Sequence, residues 1–158
     1  MIEVVNLHKS FGDTLVLKGI TTTFEKGKTN LIIGQSGSGK TVFMKCLLGL
    51  MNHDEGTISY DGRRWSVLSG DERRDLRQDM GMVFQGSALF DSMTVEGNVM
   101  FPLEMFTNQA RSEMEDRVNI VLKRVNLIDA HKKFPSEISG GMQKRVAIAR
   151  AIVMNPKY

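Results

Sequence analysis

The order of apolar and polar positions predicts a chain that combines strands and helices. Apolar runs over residues 2–7 and 15–20 are separated by a Phe-Gly-Asp turn, so they predict two strands joined by that turn. Residues 57–60 lie between two Gly-containing turns and predict a short hairpin strand. Two continuous apolar runs, Leu31-Ile32-Ile33 and Gly81-Met82-Val83-Phe84, are typical of buried parallel strands.

Helical spacing of apolar residues dominates the rest of the chain. The segment that follows residue 40 has little polar face, which predicts a largely buried helix. The strongly charged segment after residue 69 predicts a surface helix, and Asn155-Pro156 ends the last helix. In chain order, the predicted helices cover residues 41–51, 70–79, 94–106, 111–128 and 139–154.

Length and composition are those of an ordinary globular domain. The 158 residues suffice for a single core, with 41% hydrophobic and 25% charged residues. The one cysteine, Cys46, excludes an intramolecular disulfide and a cysteine-based metal site. No apolar run approaches the roughly 18 residues of a membrane helix, and the start lacks a signal-peptide pattern, so we expect a cytoplasmic protein. The net charge of +3 suits phosphate or nucleic acid, but on charge alone it is more typical of a solvated, slightly basic surface.

The stretch GQSGSGKT has the spacing of a phosphate-binding loop, Gly-x-x-x-x-Gly-Lys-[Ser/Thr], between a strand pattern and a helix pattern. Its glycines let successive N–H groups turn inward around anionic oxygens, and the following helix adds its positive dipole end. Lys40 is expected to reach the β- and γ-phosphates of a nucleotide, and the Thr41 hydroxyl to bind Mg²⁺. The candidate nucleotide-binding residues are Gly34, Gln35, Ser36, Gly37, Ser38, Gly39, Lys40 and Thr41.

A second anion site is predicted at the start of the last helix, SGGMQKRVAIARA. Ser139 is a good N-cap, and Gly140 and Gly141 leave the helix N-terminus uncovered by side chains. The pattern places three cations on the outer face of this helix: Lys144, Arg145 and Arg150. Taken alone, the segment fits a capped surface helix equally well. It follows the phosphate loop by about a hundred residues, with a Gln after an apolar run between them.

These motifs, in this order, resemble the nucleotide-binding subunit of ABC transporters, and the resemblance covers all 158 residues. GQSGSGKT resembles the Walker A motif of that family, MVFQ ending at Gln85 resembles its Q-loop, and ISGGMQKR resembles its signature motif. Phe11 stands where the family places an aromatic ring against adenine. The resemblance implies ATP and Mg²⁺ as ligands, with Gln85 as a catalytic residue that contacts Mg²⁺ and the attacking water. It also places Met142, at a position usually held by Gln, among the nucleotide-binding residues.

The resemblance also implies partners and a location. In this family two subunits sandwich ATP head to tail, so residues 139–141 are expected to face the γ-phosphate bound at Lys40 and Thr41 of a second copy. The other partner is a transmembrane permease subunit, contacted by the segment after Gln85. The expected location is peripheral, on the cytoplasmic face of the inner (cell) membrane.

Within the family, FQGSALFDSMTVEGNVMFPL (Phe84–Leu103) and Met142 are similar to the ATPases of Mla-type, Mce-associated lipid transporters. The substrate implied is phospholipid or another lipid. Two departures are minor: Gly97 occupies a place often filled by Glu, and Ile138 replaces the usual Leu.

The implied fold is an α/β P-loop NTPase of ABC type, with an antiparallel β-subdomain and a helical subdomain. We expect residues 1–85 to form the β-subdomain and phosphate-loop core, 86–138 the helical subdomain and 139–154 the signature helix. In the family, an apolar strand ending in Asp-Glu follows the signature helix. The chain ends at Tyr158 before such a strand, so we expect the C-terminal part of the core and the catalytic Glu to be missing. Residues 1–158 alone are therefore expected not to hydrolyse ATP.

Two other functions compete with a transporter subunit. A soluble ABC-type ATPase that acts on nucleic acid or ribosomes is favoured by the basic charge, but the chain has no basic run with interleaved aromatic residues, so we expect no nucleic-acid partner. A small-molecule P-loop kinase is disfavoured by the signature helix.

Overall fold

The first part of the chain contains an antiparallel sheet of four strands. The computed structural model describes residues 1–158 and divides into two units, Met1–Arg77 and Gln78–Tyr158. In the first unit the strand order is β2-β1-β3-β4, and every pairing is antiparallel. The strands are β1 (Ile2–Phe11), β2 (Thr14–Phe24), β3 (Glu55–Tyr60) and β4 (Arg63–Arg64). The predicted antiparallel subdomain and both of its hairpins are confirmed.

Two helices complete the first unit, α1 (Lys40–Leu47) and α2 (Gly70–Gln78). α1 buries Phe43, Cys46 and Leu47, and burial raises the pKa of the Cys46 thiol. The hydroxyl of Tyr60, a fully buried residue of β3, donates a hydrogen bond to the Leu47 carbonyl. The end of α1 is therefore attached to the sheet by packing and by a buried hydrogen bond.

Three helices enclose the core of the second unit: α3 (Val95–Phe106), α4 (Arg111–Arg124) and α5 (Gly140–Ile152). Each helix contributes fully buried apolar side chains, represented by Val99, Val118 and Val146. Removal of such side chains from water is the main favourable term in folding. None of the helices combines the length and the apolar character that crossing a membrane requires.

The predicted strand at Leu31-Ile32-Ile33 is wrong for this structure. Residues 29–35 lie outside the sheet, and Leu31 and Ile33 are 80% and 84% exposed. An apolar run forms a strand only where neighbouring strands accept and donate its backbone hydrogen bonds. In residues 1–158 the strand pairs are made among β1, β2, β3 and β4, and none of them flanks this segment.

The predicted strand at Gly81–Phe84 is also wrong, although pairing begins beside it. The Gly81 N–H donates to the Tyr158 carbonyl at 2.8 Å, and the Tyr158 N–H donates to the Asp79 carbonyl at 3.0 Å. This alternation is the hydrogen-bond pattern of a parallel pair. It does not extend along the following residues, and Val83 and Phe84 are 50% and 45% exposed.

The first helix is shorter and more exposed than predicted. α1 ends at Leu47, and Met44 and Leu50 are 40% and 56% exposed. The chain turns at Gly49, which has φ +62° and lies so close to the Trp65 ring that an added Cβ would be 2.1 Å from it. Only glycine fits this close approach, and the helix cannot continue through it.

Candidate nucleotide-binding site

The predicted phosphate loop is a tight, exposed turn that leads directly into α1. Residues 34–38 are exposed, and a Ser38 N–H to Gln35 carbonyl hydrogen bond of 3.2 Å closes the turn. Gly37 and Gly39 have φ of +80° and +91°, in the left-handed region that favours glycine. α1 begins at Lys40 with no side-chain cap, so the first N–H groups of the helix remain at the loop. This arrangement presents backbone donors and a helix dipole to an anion.

Lys40 lies folded over the same loop. Its ammonium group donates hydrogen bonds of 2.7 Å to the carbonyl oxygens of Gly34 and Gln35. These two carbonyls hold the positive charge at the loop, beside the N-terminus of α1. An ammonium group has three N–H donors, and the two carbonyls take two of them.

The loop is seated on β2 through Gly39. An added Cβ on Gly39 would lie 2.9 Å from Val16 Cγ1 and 3.2 Å from Leu17 Cδ2. The β1–β2 register shifts between Lys9↔Leu17 and Ser10↔Leu15, which leaves Val16 as the extra residue of a β-bulge. The bulged strand therefore packs directly against the start of α1.

Thr41 is exposed in the first turn of α1, next to Lys40. A hydroxyl in this position can serve as one oxygen ligand of Mg²⁺, which commonly keeps several waters and phosphate oxygens as its other ligands. The chain contains no cluster of three or more His, Cys, Asp or Glu residues that could hold a metal by themselves. A single hydroxyl supplies only one of the oxygen ligands that Mg²⁺ requires.

Phe11 is the last residue of β1 and is 47% exposed. The ammonium group of Lys9 lies 5.5 Å from the centroid of the Phe11 ring. Phe11 belongs to the hairpin of β1 and β2, the same hairpin on which Gly39 rests. The structure thus places this predicted adenine contact on the element that supports the phosphate loop.

The signature segment forms an open helix N-terminus in the second unit. Ser139 is the N-cap of α5, and its Oγ accepts a hydrogen bond of 3.3 Å from the Met142 N–H. Ser139, Gly140 and Gly141 are all exposed, and an added Cβ on Gly140 would meet nothing within 4 Å. The first turn of α5 is therefore accessible to a ligand or to another protein.

Gln85 lies in an exposed turn, and the next residues are held by an arginine from α5. Arg150 donates a hydrogen bond of 2.9 Å to the Ser87 carbonyl, and its guanidinium carbon lies 5.8 Å from the centroid of the Phe90 ring. Burial lowers the pKa of Arg150. The prediction that Arg150 faces outward is wrong, because the side chain spans from α5 to the segment after Gln85.

The same prediction is wrong for Arg145, which donates a hydrogen bond of 3.0 Å to the Asn126 carbonyl. Lys144 alone of the three cations is fully on the exposed side of α5. Helical spacing does not show which long side chains turn back to satisfy backbone carbonyls.

The sequence patterns do not single out Asn98, which connects the start of α3 to the segment after Gln85. It is a polar residue in the first turn of α3 with 0% exposure, and its side-chain oxygen accepts a hydrogen bond of 2.8 Å from the Phe90 N–H. Its side-chain nitrogen lies 3.0–3.1 Å from the carbonyl oxygens of Phe90, Met93 and Thr94. The signal available in the sequence was an Asn directly before the apolar run of residues 99–103.

Comparison with known proteins assigns the family. The sequence model of the ABC transporter family matches residues 17–158. The methionine import ATP-binding protein MetN of Clostridium tetani (strain Massachusetts / E88) is 42% identical over 157 residues, which cover 99% of this chain and 49% of that protein. The probable ribonucleotide transport ATP-binding protein mkl of Mycobacterium bovis (strain ATCC BAA-935 / AF2122/97) is 42% identical, with 99% and 44% covered. The chain thus spans about half the length of these curated relatives.

The solved structures agree with the sequence comparison. The dimeric structure of MJ0796, a bacterial ABC transporter cassette, superposes with a TM-score of 0.88 at 33% identity. The match covers 99% of this chain and 71% of the MJ0796 chain. With the phosphate loop and the open signature helix in place, these matches show that the chain belongs to the ABC transporter family.

Proposed function

We propose that the full-length form of this protein powers an ABC transporter by binding and hydrolysing ATP, with the phosphates held at Gly34–Thr41. The observation that carries the proposal is the position of the Lys40 ammonium group, 2.7 Å from two loop carbonyls at the uncapped start of α1. The third N–H of that ammonium group is available to a phosphate oxygen, and the backbone N–H groups of the loop supply further donors. Positive charge, backbone donors and the helix dipole then act on the same anion.

Mg²⁺ bound together with ATP neutralises charge on the phosphates. Thr41 is the residue in this chain that we assign as its ligand in the loop, and Gln85, in its exposed turn, is the second. Gln85 also orients the attacking water. We assign the general base to none of the carboxylates in residues 1–158.

A second copy of the subunit completes the nucleotide site. Ser139, Gly140, Gly141 and Met142 of one copy face the γ-phosphate bound at Lys40 of the other, in a head-to-tail dimer. The exposed first turn of α5, with open space around Gly140, supports this assignment. The dimeric arrangement of the MJ0796 cassette is in keeping with it.

The segment after Gln85 contacts a transmembrane permease, which places the subunit on the cytoplasmic face of the membrane. Phe84 and Phe90 are 45% and 40% exposed there, and apolar side chains at the surface suit a protein partner. A charge introduced by Phe90→Asp is expected to release the subunit from its permease in a pull-down while ATP still binds. Ile120→Asp, which introduces the same charge at a 54% exposed position of α4, is the control. Equal retention of both variants would refute this contact.

The substrate we propose is a phospholipid or another lipid. The support is the similarity of Phe84–Leu103 and Met142 to the ATPases of Mla-type transporters. Methionine is the second candidate, because a relative at 42% identity is a methionine import ATP-binding protein. Nucleic acid is not favoured, since the matched relatives are transport proteins.

Reconstitution of the whole transporter separates the two substrates. The subunit and its permease are placed in vesicles, and phosphate release from Mg-ATP is measured with added phospholipid or with added L-methionine. We expect phospholipid to stimulate hydrolysis and L-methionine to have no effect. Stimulation by L-methionine alone would exclude the lipid assignment while leaving the ATP site intact.

A further inference from the structure

Asp54, at the end of the segment before β3, is bonded to the end of β1 at three points. Its carboxylate accepts a hydrogen bond of 2.6 Å from the Ser10 N–H and another of 2.6 Å from the Lys9 ammonium group. Its own N–H donates to the His8 carbonyl at 2.9 Å. The regular β1–β3 pairing ends at His8↔Glu55, so these bonds continue the attachment beyond the ladder.

Lys9 connects this carboxylate to an aromatic ring. Its ammonium group, hydrogen-bonded to Asp54, also lies 5.5 Å from the centroid of the Phe11 ring. The Lys9 side chain is only 16% exposed, whereas Phe11 is 47% exposed. The cation therefore occupies the protein side of the ring, and a large part of Phe11 faces solvent.

The Phe11 ring lies at the tip of the β1–β2 hairpin, so movement of the hairpin tip changes its position relative to the phosphate loop. Phe11 pairs with Thr14 across the hairpin tip, where the backbone has no further strand to hold it. A few residues away in the same hairpin, Val16 and Leu17 touch Gly39 of the phosphate loop. The position of the ring relative to the loop depends on how firmly the end of β1 is held.

We propose that Asp54 and Lys9 are positioning residues for recognition of the nucleotide base. Asp54 fixes the end of β1 through Ser10 and orients Lys9, and Lys9 holds the Phe11 ring from one face so that its other face stacks on adenine. This inference rests on the proposed nucleotide site and adds to it the part that contacts the base. Stacking on an aromatic side chain requires a ring whose plane is already oriented, because orienting it on binding costs affinity.

The charge state of Asp54 suits this role at ordinary pH. The hydrogen bond from Lys9 and the one from the Ser10 N–H hold the pKa of the Asp54 carboxyl below its usual value. The carboxylate is therefore ionised, and able to orient Lys9, throughout the neutral range.

The test compares a ligand that has a base with one that has none. Binding of Mg-ATP and of Mg-tripolyphosphate to the whole protein is measured by titration calorimetry for wild type, Asp54→Asn, Lys9→Met and their double variant. Asp75→Asn, which removes a carboxylate from an exposed position of α2, is the control. We expect Asp54→Asn and Lys9→Met each to weaken ATP binding about 3- to 10-fold, below the effect of losing a stacking ring altogether. The double variant is expected to be little weaker than either single variant, because the two residues act as one unit.

Tripolyphosphate binding distinguishes a positioning role from a purely structural one. If the ion pair only stabilised the fold, its loss would weaken the binding of ATP and of tripolyphosphate alike. We expect tripolyphosphate binding to be unchanged in all four variants, since the phosphate loop is intact. Unchanged ATP affinity in folded Asp54→Asn and Lys9→Met, or equal losses for ATP and tripolyphosphate, would overturn the positioning role. Lys40→Ala in the same series must weaken both ligands. If it weakens neither, the phosphate site itself is wrong, and this inference falls with it.

Discussion

Removal of the Asn98 side-chain amide should loosen the segment that follows Gln85. The amide is fully buried and connects the start of α3 to residues 90–94 by one accepted and several donated hydrogen bonds. Asn98→Ala leaves the Phe90 N–H and the Met93 carbonyl without this partner, whereas the Phe90 and Thr94 carbonyls still accept from the backbone N–H groups of Met93 and residue 98. A buried backbone group left unpaired costs about 1–3 kcal/mol, and water can enter at the partly buried edge. We therefore expect a loss of about 2–4 kcal/mol from a total stability on the order of 5–15 kcal/mol.

The assay is thermal and urea unfolding of the whole protein. A loss of that size lowers the melting temperature by roughly 5–15 °C for a domain of this length. Asn108→Ala, at an exposed position after α3, is the control and should change the melting temperature little. Hydrogen exchange at the Phe90 amide should also become faster, because its acceptor is gone.

Asn98→Asp provides a sharper version of the same test. An aspartate keeps the acceptor for the Phe90 N–H, but its charged form faces the three carbonyl oxygens at a buried position. We expect its pKa to be raised in the folded state, so this variant should be most stable at low pH and should lose stability as the pH rises through that raised pKa. If Asn98→Ala and Asn108→Ala unfold alike, and Asn98→Asp shows no such pH dependence, the described hydrogen-bond network does not support the segment.

Three further outcomes follow from the first unit and its exposed surface. Gly39→Ala should lower the free energy of unfolding by about 1–3 kcal/mol and weaken ATP binding, because it combines φ +91° with a Cβ 2.9 Å from Val16. The control Gly62→Ala, with φ +80° and open space around it, measures the cost of the positive φ alone. Equal losses of stability in the two variants would contradict the packing of the loop on β2. Burial lowers the pKa of His53 from 6.5, so the free energy of unfolding should fall as the pH drops below about 6.5. In His53→Gln the free energy of unfolding should change less between pH 7 and 5 than it does in wild type, and an equal change in both proteins would contradict this. Residues 1–158 alone should self-associate through Leu31 and Ile33, which are 80% and 84% exposed. Analytical ultracentrifugation measures this self-association, and a stable monomer would contradict the prediction.

Local patterns predicted what depends on neighbouring residues in the chain. The hairpin of β1 and β2 follows from two apolar runs around one turn, and the phosphate loop follows from the spacing of three glycines and a lysine. Both are formed by short-range backbone geometry, which sequence shows directly. The start of α5 at Gly140, capped by Ser139, was predicted for the same reason.

Features that depend on distant residues were predicted poorly. The apolar run at Leu31–Ile33 has the composition of a buried strand, but strand formation also requires paired neighbours, which residues 1–158 do not place there. Arg150 and Asn98 bond to backbone groups of the 87–94 segment, and Asp54 bonds to Ser10 44 residues earlier. No periodicity in the sequence connects such pairs, because their meeting is set by tertiary packing.

ATP affinity of Lys40→Ala tests the central claim most directly. The variant removes the cation that the Gly34 and Gln35 carbonyls hold at the start of α1. Lys45→Ala, which removes an exposed cation from the last turn of the same helix, is the matched control. In a calorimetric titration of the whole protein with Mg-ATP, we predict that Lys40→Ala weakens binding about 10- to 100-fold, the range expected when hydrogen bonds to a charged group are lost. Lys45→Ala should bind as wild type does. A folded Lys40→Ala protein with unchanged ATP affinity would contradict the assignment of residues 34–41 as the phosphate site.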